Sequence, residues 1–248
     1  MGGVRSKVSL EDQPCTARLV TITTGGNDFP READGTGEAM KAVVFPSAMV
    51  RLPGGEFNMG STNFYPEEAP VRSVKVAPFL LDATPVTNAQ FAAFVEDTGF
   101  VTLAESVPDP ADYPGILADM MVAGSIVFQS PHRSQMVGPE SWWRYTPGAN
   151  WRQPYGPEHG AIAPADHPVV QIAYGDALAY AHWVGKRLPT EIEAEFASRG
   201  GLENAPYAWG SELMPNGELH ANVWYDSGFP FSHPEKKGPP YTTPVKRY

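Results

Sequence analysis

VQIAYGDALAYAHWVGKRLPTEIEAEFASRGG, residues 170–201, reads as a strand, a short helix, a sharp turn and a second helix. Asp176 suits the N-cap of the first helix, because its carboxylate accepts hydrogen bonds from the free amides of a first turn. Ala177, Tyr180, Ala181 and Val184 then share one face, and Gly185 supplies a left-handed stop. Thr190 and Glu193 have the spacing of a capping box for the second helix, which turns Ile192 and Phe196 to one side and ends before Gly200.

The rest of the chain is irregular. Among 248 residues there are 24 glycines and 26 prolines, with 42% hydrophobic and only 19% charged residues. That mix can bury a core while loops carry much of the structure. The net charge of −10 argues against a general nucleic-acid binder or a surface for anionic membranes. No apolar run reaches the ~20 residues of a membrane span. The single cysteine, Cys15, excludes an intrachain disulfide and fits a reducing, cytoplasmic setting.

Residues 1–40 hold few large apolar groups and read as a flexible extension, leaving 41–248 as the folded domain. Order is expected from Val43-Val44-Phe45 onward. Pro53-Gly54-Gly55 marks a tight turn, and Glu56 to Gly60 alternates like a half-buried strand. A strand over 71–76 places Val74 and Val76 on one face, and 79–82 is a further short strand. Thr87 and Gln90 open another capped helix that buries Phe91, Phe94 and Val95 and stops at Gly99. Residues 100–105 read as extended. Residues 106–168 form a long region with two small elements, in which Trp142, Trp143, Tyr145 and Trp151 either line a groove or pack as a local core.

Few residues announce chemistry. The six histidines, His132, His159, His167, His182, His220 and His233, show no metal-ligand spacing, and there is no nucleophile elbow or phosphate-binding loop. His167 and His182 read as satisfied structural histidines. Glu67 and Glu68 read as an exposed acidic loop rather than a calcium site. Cys15 has no neighbouring base to activate it.

Taken in order, several short motifs resemble the formylglycine-generating enzyme, or sulfatase-modifying factor, family. They are the opening Met49-Val50-Arg51-Leu52-Pro53-Gly54-Gly55, then Pro85-Val86-Thr87-Asn88, Gly148-Ala149-Asn150-Trp151-Arg152 and His167-Pro168-Val169-Val170. Lys186-Arg187-Leu188-Pro189-Thr190-Glu191 and Ala221-Asn222-Val223-Trp224 complete the series. The resemblance implies an irregular, C-type-lectin-like α+β fold. It also implies oxidation of a cysteine to Cα-formylglycine, with molecular oxygen, in a Cys-x-Pro-x-Arg motif of sulfatases. Family enzymes use a cysteine pair that binds copper(I), a soft ion suited to thiolates.

By the same resemblance, Ala104, Ser125 and Trp142 match the substrate groove, and Asn222 and Val223 match positions that give oxygens to a structural calcium site. Two departures stand out. The family's cysteine pair lies in a C-terminal segment before which this chain ends, so a truncated fold without catalytic residues, inactive alone, is expected. Lys236 and Lys237 fall where the calcium site's acidic partner is expected, and lysine repels the ion. Ala194 stands where an aromatic is usual, which predicts thinner packing of the second helix. The alternative to an enzyme is a non-catalytic module that binds a peptide or a protein.

Overall fold

The structure, a computed structural model, describes residues 48–117, 120–130, 142–225, 229–231 and 241–248. The expected extension over 1–40, Cys15, His132, His233, Lys236 and Lys237 lie outside the described residues.

Strand β1 (Met49–Leu52) pairs antiparallel with β4 (Phe79–Asp82), Met49 opposite Asp82. The hairpin of β2 (Gly55–Met59) and β3 (Arg72–Val76) lies between them in sequence, with Phe57 opposite Val74. The turn into β2 demands glycine. Gly54 has φ of +70°, and a Cβ there would sit 2.4 Å from the carbonyl oxygen of Val76. A second hairpin pairs β5 (Gly124–Phe128) with β6 (Trp143–Pro147), Ser125 opposite Thr146.

Helix α1 (Asn88–Thr98) starts as its sequence requires: Thr87 Oγ1 accepts from the Gln90 amide at 3.3 Å, and Gln90 Oε1 accepts from the Thr87 amide at 2.8 Å. It stops at left-handed Gly99. Helix α2 (Tyr174–Trp183) is followed by Gly185 at φ +69°, and α3 (Glu191–Arg199) has the expected reciprocal Thr190–Glu193 cap. Phe91, Phe94 and Val95 of α1, Trp151 and Tyr180 of α2 form the core cluster. Phe91 lies with its ring centroid 5.2 Å from Trp151, 5.4 Å from Phe94 and 5.8 Å from Tyr180. Burial pushes the Tyr180 phenol up to about 12, with the Asp82 charge adding to it. Phe196 ties α3 to the hairpins, 5.4 Å from Phe57 and 6.3 Å from Phe79.

Several expectations are corrected by long-range structure. Residues 170–173 are not a strand; pairing occurs earlier, where Pro168 bridges Thr87 and the Val169 amide donates to the Val86 carbonyl at 2.9 Å. The stretch 100–105 is not extended throughout but closes into a 3-10 turn at Leu103–Glu105. His182 is exposed, because its place on α2 faces away from the core. Ala194 is exposed as well, so its small side chain does not thin the described core. His167 does pack as expected: it is buried, with Nδ1 2.8 Å from Thr242 Oγ1.

Arg187 forks onto Glu193, with Nη1 2.7 Å from Oε2 and Nη2 2.6 Å from Oε1. This pairing, helped by the Thr190 hydrogen bonds, holds the Glu193 carboxyl down at about 2 from the usual 4.5. A carboxyl depressed on folding stabilises the fold above its unfolded value and loses that contribution as pH falls toward its folded value. Thermal melts of the wild type and Glu193→Gln should therefore differ at about pH 6 and converge as pH falls from 4.5 to about 2. A gap that is constant over that window would refute the pairing.

Candidate functional site

Two segments remote in sequence meet at the N-terminus of α2. The 3-10 turn at Leu103–Glu105 is anchored from below by Thr102, fully buried, whose amide and hydroxyl donate to Glu105 Oε2 at 3.1 and 2.8 Å. Glu105 Oε1 also receives Arg152 Nη1, at 2.5 Å. From α2, the buried Asp176 reaches across: Oδ1 accepts from the Leu103 amide at 3.1 Å while Oδ2 accepts from the Ala173 amide at 2.9 Å. Asp176 is thus not the N-cap the sequence predicts. It occupies the third helical position, with Ala173 at the cap, and its carboxylate caps the helix backward and the 3-10 turn sideways.

Gln171 supplies the other side. It has φ of +60°, a left-handed conformation rare outside glycine and enriched where surroundings over-determine the backbone. Its Nε2 donates to the carbonyls of Pro154 at 3.0 Å and Ile126 at 3.4 Å, and its Oε1 accepts from Ser125 Oγ at 2.5 Å. The result is an open cleft of about 330 Å³. Leu103 and Ala104 form one wall, Gly124 and Ser125 of β5 a second, and Gln171, Ile172 and Ala173 the third.

The cleft brings together Ala104 and Ser125, two of the three residues matched to a substrate groove. Trp142 lies apart. Its carbonyl accepts from the Gln129 amide at 2.8 Å, four strand positions from Ser125 or about 13 Å along β5. There it joins an aromatic cluster: its ring is 5.4 Å from Phe229, while Phe128 stands 5.7 Å from Trp143 and 5.5 Å from Trp224. The Trp142-to-Trp151 group is therefore divided, since Trp151 belongs to the core around Phe91. Gln171 gave no sequence signal, because a left-handed glutamine has none. Asp176 was visible as a helix-start residue, but its hold on Leu103 was not.

Asn222 is exposed and spends its Nδ2 on the Tyr241 carbonyl at 2.6 Å, beside a cavity of about 310 Å³ lined by His220, Ala221 and residues 242–245. Calcium takes six to eight oxygens, including carboxylates. The Asn222 amide oxygen and the Val223 carbonyl are two neutral donors, and among the described residues no group of three or more His, Cys, Asp or Glu could hold a metal ion. No helix among them is long and apolar enough to cross a membrane.

A family described as the sulfatase-modifying factor enzyme 1-like domain matches residues 36–248. A formylglycine-generating enzyme of Mycobacterium tuberculosis is 48% identical over 206 residues, covering 81% of this chain and 67% of that protein. An inactive C-alpha-formylglycine-generating enzyme 2 of Bos taurus is 41% identical over 178 residues, covering 71% of this chain and 56% of that protein. Among solved structures, PvdO from Pseudomonas aeruginosa covers 70% of this chain and 54% of its own at 24% identity, with a TM-score of 0.41, a likeness that adds nothing further. The chain belongs to the sulfatase-modifying factor family. It spans between 56% and 67% of the length of these two relatives.

Proposed function

We propose that this chain is the substrate-binding part of a formylglycine-generating enzyme on a C-type-lectin-like scaffold, holding a sulfatase peptide with a Cys-x-Pro-x-Arg motif in the cleft beside Ser125. The meeting of Ala104 and Ser125 in one cleft, from a 3-10 turn and a separate hairpin, is the observation that supports it. Copper(I) held by two thiolates supplies the oxygen chemistry in the family, and the 248 residues contain one cysteine. They do not fit that site, so this polypeptide binds its peptide without oxidising it. One cysteine also suits work in a reducing, cytoplasmic compartment.

Incubation of the polypeptide with copper(I), oxygen and a Cys-x-Pro-x-Arg peptide, followed by mass spectrometry, is expected to return the peptide unchanged. Aldehyde in the product would overturn the inactivity. A second reading, a binding module with no catalysis at all, is favoured by the inactive bovine relative. Adding the portion of the mycobacterial relative outside the aligned region separates the two: turnover selects the enzyme, and its absence selects the module.

A further inference from the structure

Gln171 decides the hydrogen-bonding polarity of the cleft. A side-chain amide has one accepting and one donating end. Two carbonyl oxygens, from Pro154 and Ile126, face one end of the Gln171 amide at 3.0 and 3.4 Å. Only the donating nitrogen can sit there; the flipped amide would set oxygen against two oxygens. The accepting end must then face Ser125, 2.5 Å away. A serine hydroxyl has one proton and two lone pairs, and here the proton is committed to Gln171. What remains for a ligand is acceptor capacity alone.

From this chain of donors and acceptors we infer that Gln171 is a positioning residue that fixes Ser125 as a hydrogen-bond acceptor, so that the cleft takes a donor, a main-chain N–H of an extended peptide. The assignment of a peptide rests on the function proposed above. Among the described residues, no acidic side chain lines the cleft to favour a cation over a neutral amide. Leu103, Ala104, Ile172 and Ala173 give the flanking walls an apolar character that suits the carbon atoms beside such an N–H. The left-handed backbone belongs to the same device. It aims the Gln171 side chain back at β5 from the start of α2, and the three hydrogen bonds offset its strain.

The test uses a fluorescein-labelled Cys-x-Pro-x-Arg peptide and a set of its variants, each N-methylated at one backbone nitrogen. With the wild type, one N-methyl position should weaken binding about tenfold, the size of one lost hydrogen bond. That penalty should vanish in Ser125→Ala, fall in Gln171→Gly, where the released hydroxyl can turn its proton toward the peptide N–H, and persist in Ser125→Thr, which keeps the hydroxyl. Glycine is chosen at 171 because it adopts the left-handed backbone without strain, so a fall in the penalty reports the side chain and not the fold. A penalty that survives Ser125→Ala overturns the inference and leaves the proposed function standing. Failure of every peptide to bind removes the peptide and the proposed function together. The positioning role then stands or falls on proton exchange of the Gln171 side-chain amide: slow exchange that quickens in Ser125→Ala supports it, and fast exchange in the wild type overturns it.

Discussion

Phe91→Ala should destabilise the fold by about 3–5 kcal/mol, the range for emptying a fully buried aromatic site. Phe91 is 1% exposed, and its ring meets partners from three separate parts of the chain: Phe94 on its own helix, Trp151 in the loop after β6, and Tyr180 on α2. Phe94 and Trp151 meet it edge to face and Tyr180 stacks on it, so none is free to move in and fill the space. Against a total stability of about 5–15 kcal/mol, the loss would leave the protein near its unfolding threshold. Urea titration measures it as a fall in midpoint. Phe91→Leu retains most of the volume and should cost under about 1.5 kcal/mol. Tyr174→Ala, at a side chain 74% exposed, should stay within about 0.5 kcal/mol. A Phe91→Ala variant that melts like Tyr174→Ala would mean that the core is centred elsewhere.

The sequence reading succeeded where the determining interactions are local. Thr87 and Gln90, or Thr190 and Glu193, satisfy each other across three residues, and left-handed Gly99, Gly185 and Gly200 end their helices in place. Spacing alone carries such information. The same is true of the alternation in β3, which turns Val74 and Val76 inward. Elsewhere the decisive partner is remote. Residues 170–173 look like a strand by composition, yet the pairing lies just before them, at the Thr87–Pro168 bridge and the Val169 amide on the Val86 carbonyl, and the Ala173 amide is spent on Asp176. His182 and Ala194 sit at positions whose exposure depends on how each helix is docked, which helical periodicity does not state.

The site follows the same division. Ala104 and Ser125 carry no groove signal of their own in the sequence, and only the resemblance joins Trp142 to them. What separates Trp142 from the cleft is hairpin register: Ser125 and Trp142 fall at opposite ends of β5–β6. Two side chains absent from the sequence-based groove shape it most. Gln171 sets the polarity of one wall through contacts made up to 46 positions away. Asp176 fixes the other by joining α2 to a turn 73 positions earlier. Both residues spend their hydrogen bonds on the protein itself, so a search for groups free to meet a substrate passes over them.

Asp176→Ala is accordingly expected to have the second large effect, about 3 kcal/mol of stability together with loss of the cleft. The carboxylate is 4% exposed and accepts from the amides of Leu103 and Ala173. Hydrogen bonds to a charged group contribute about 1.5–3 kcal/mol each, and their removal leaves two donors with poor access to water. A negative charge in the first turn of α2 adds about 0.3–1 kcal/mol through the helix dipole. Asp176→Asn separates these contributions. Its amide oxygen can still accept from Ala173, but its nitrogen then faces the Leu103 N–H, donor against donor, so about half of the loss should remain. Hydrogen exchange supplies the local readout: in both variants the Leu103 amide should exchange much faster, while in Asp176→Asn the Ala173 amide stays protected. Because Leu103 and Ala104 form the wall opposite Ser125, peptide binding should fall in step with Leu103 protection. Unchanged protection of Leu103 in Asp176→Ala would show that the wall is held by something other than this carboxylate.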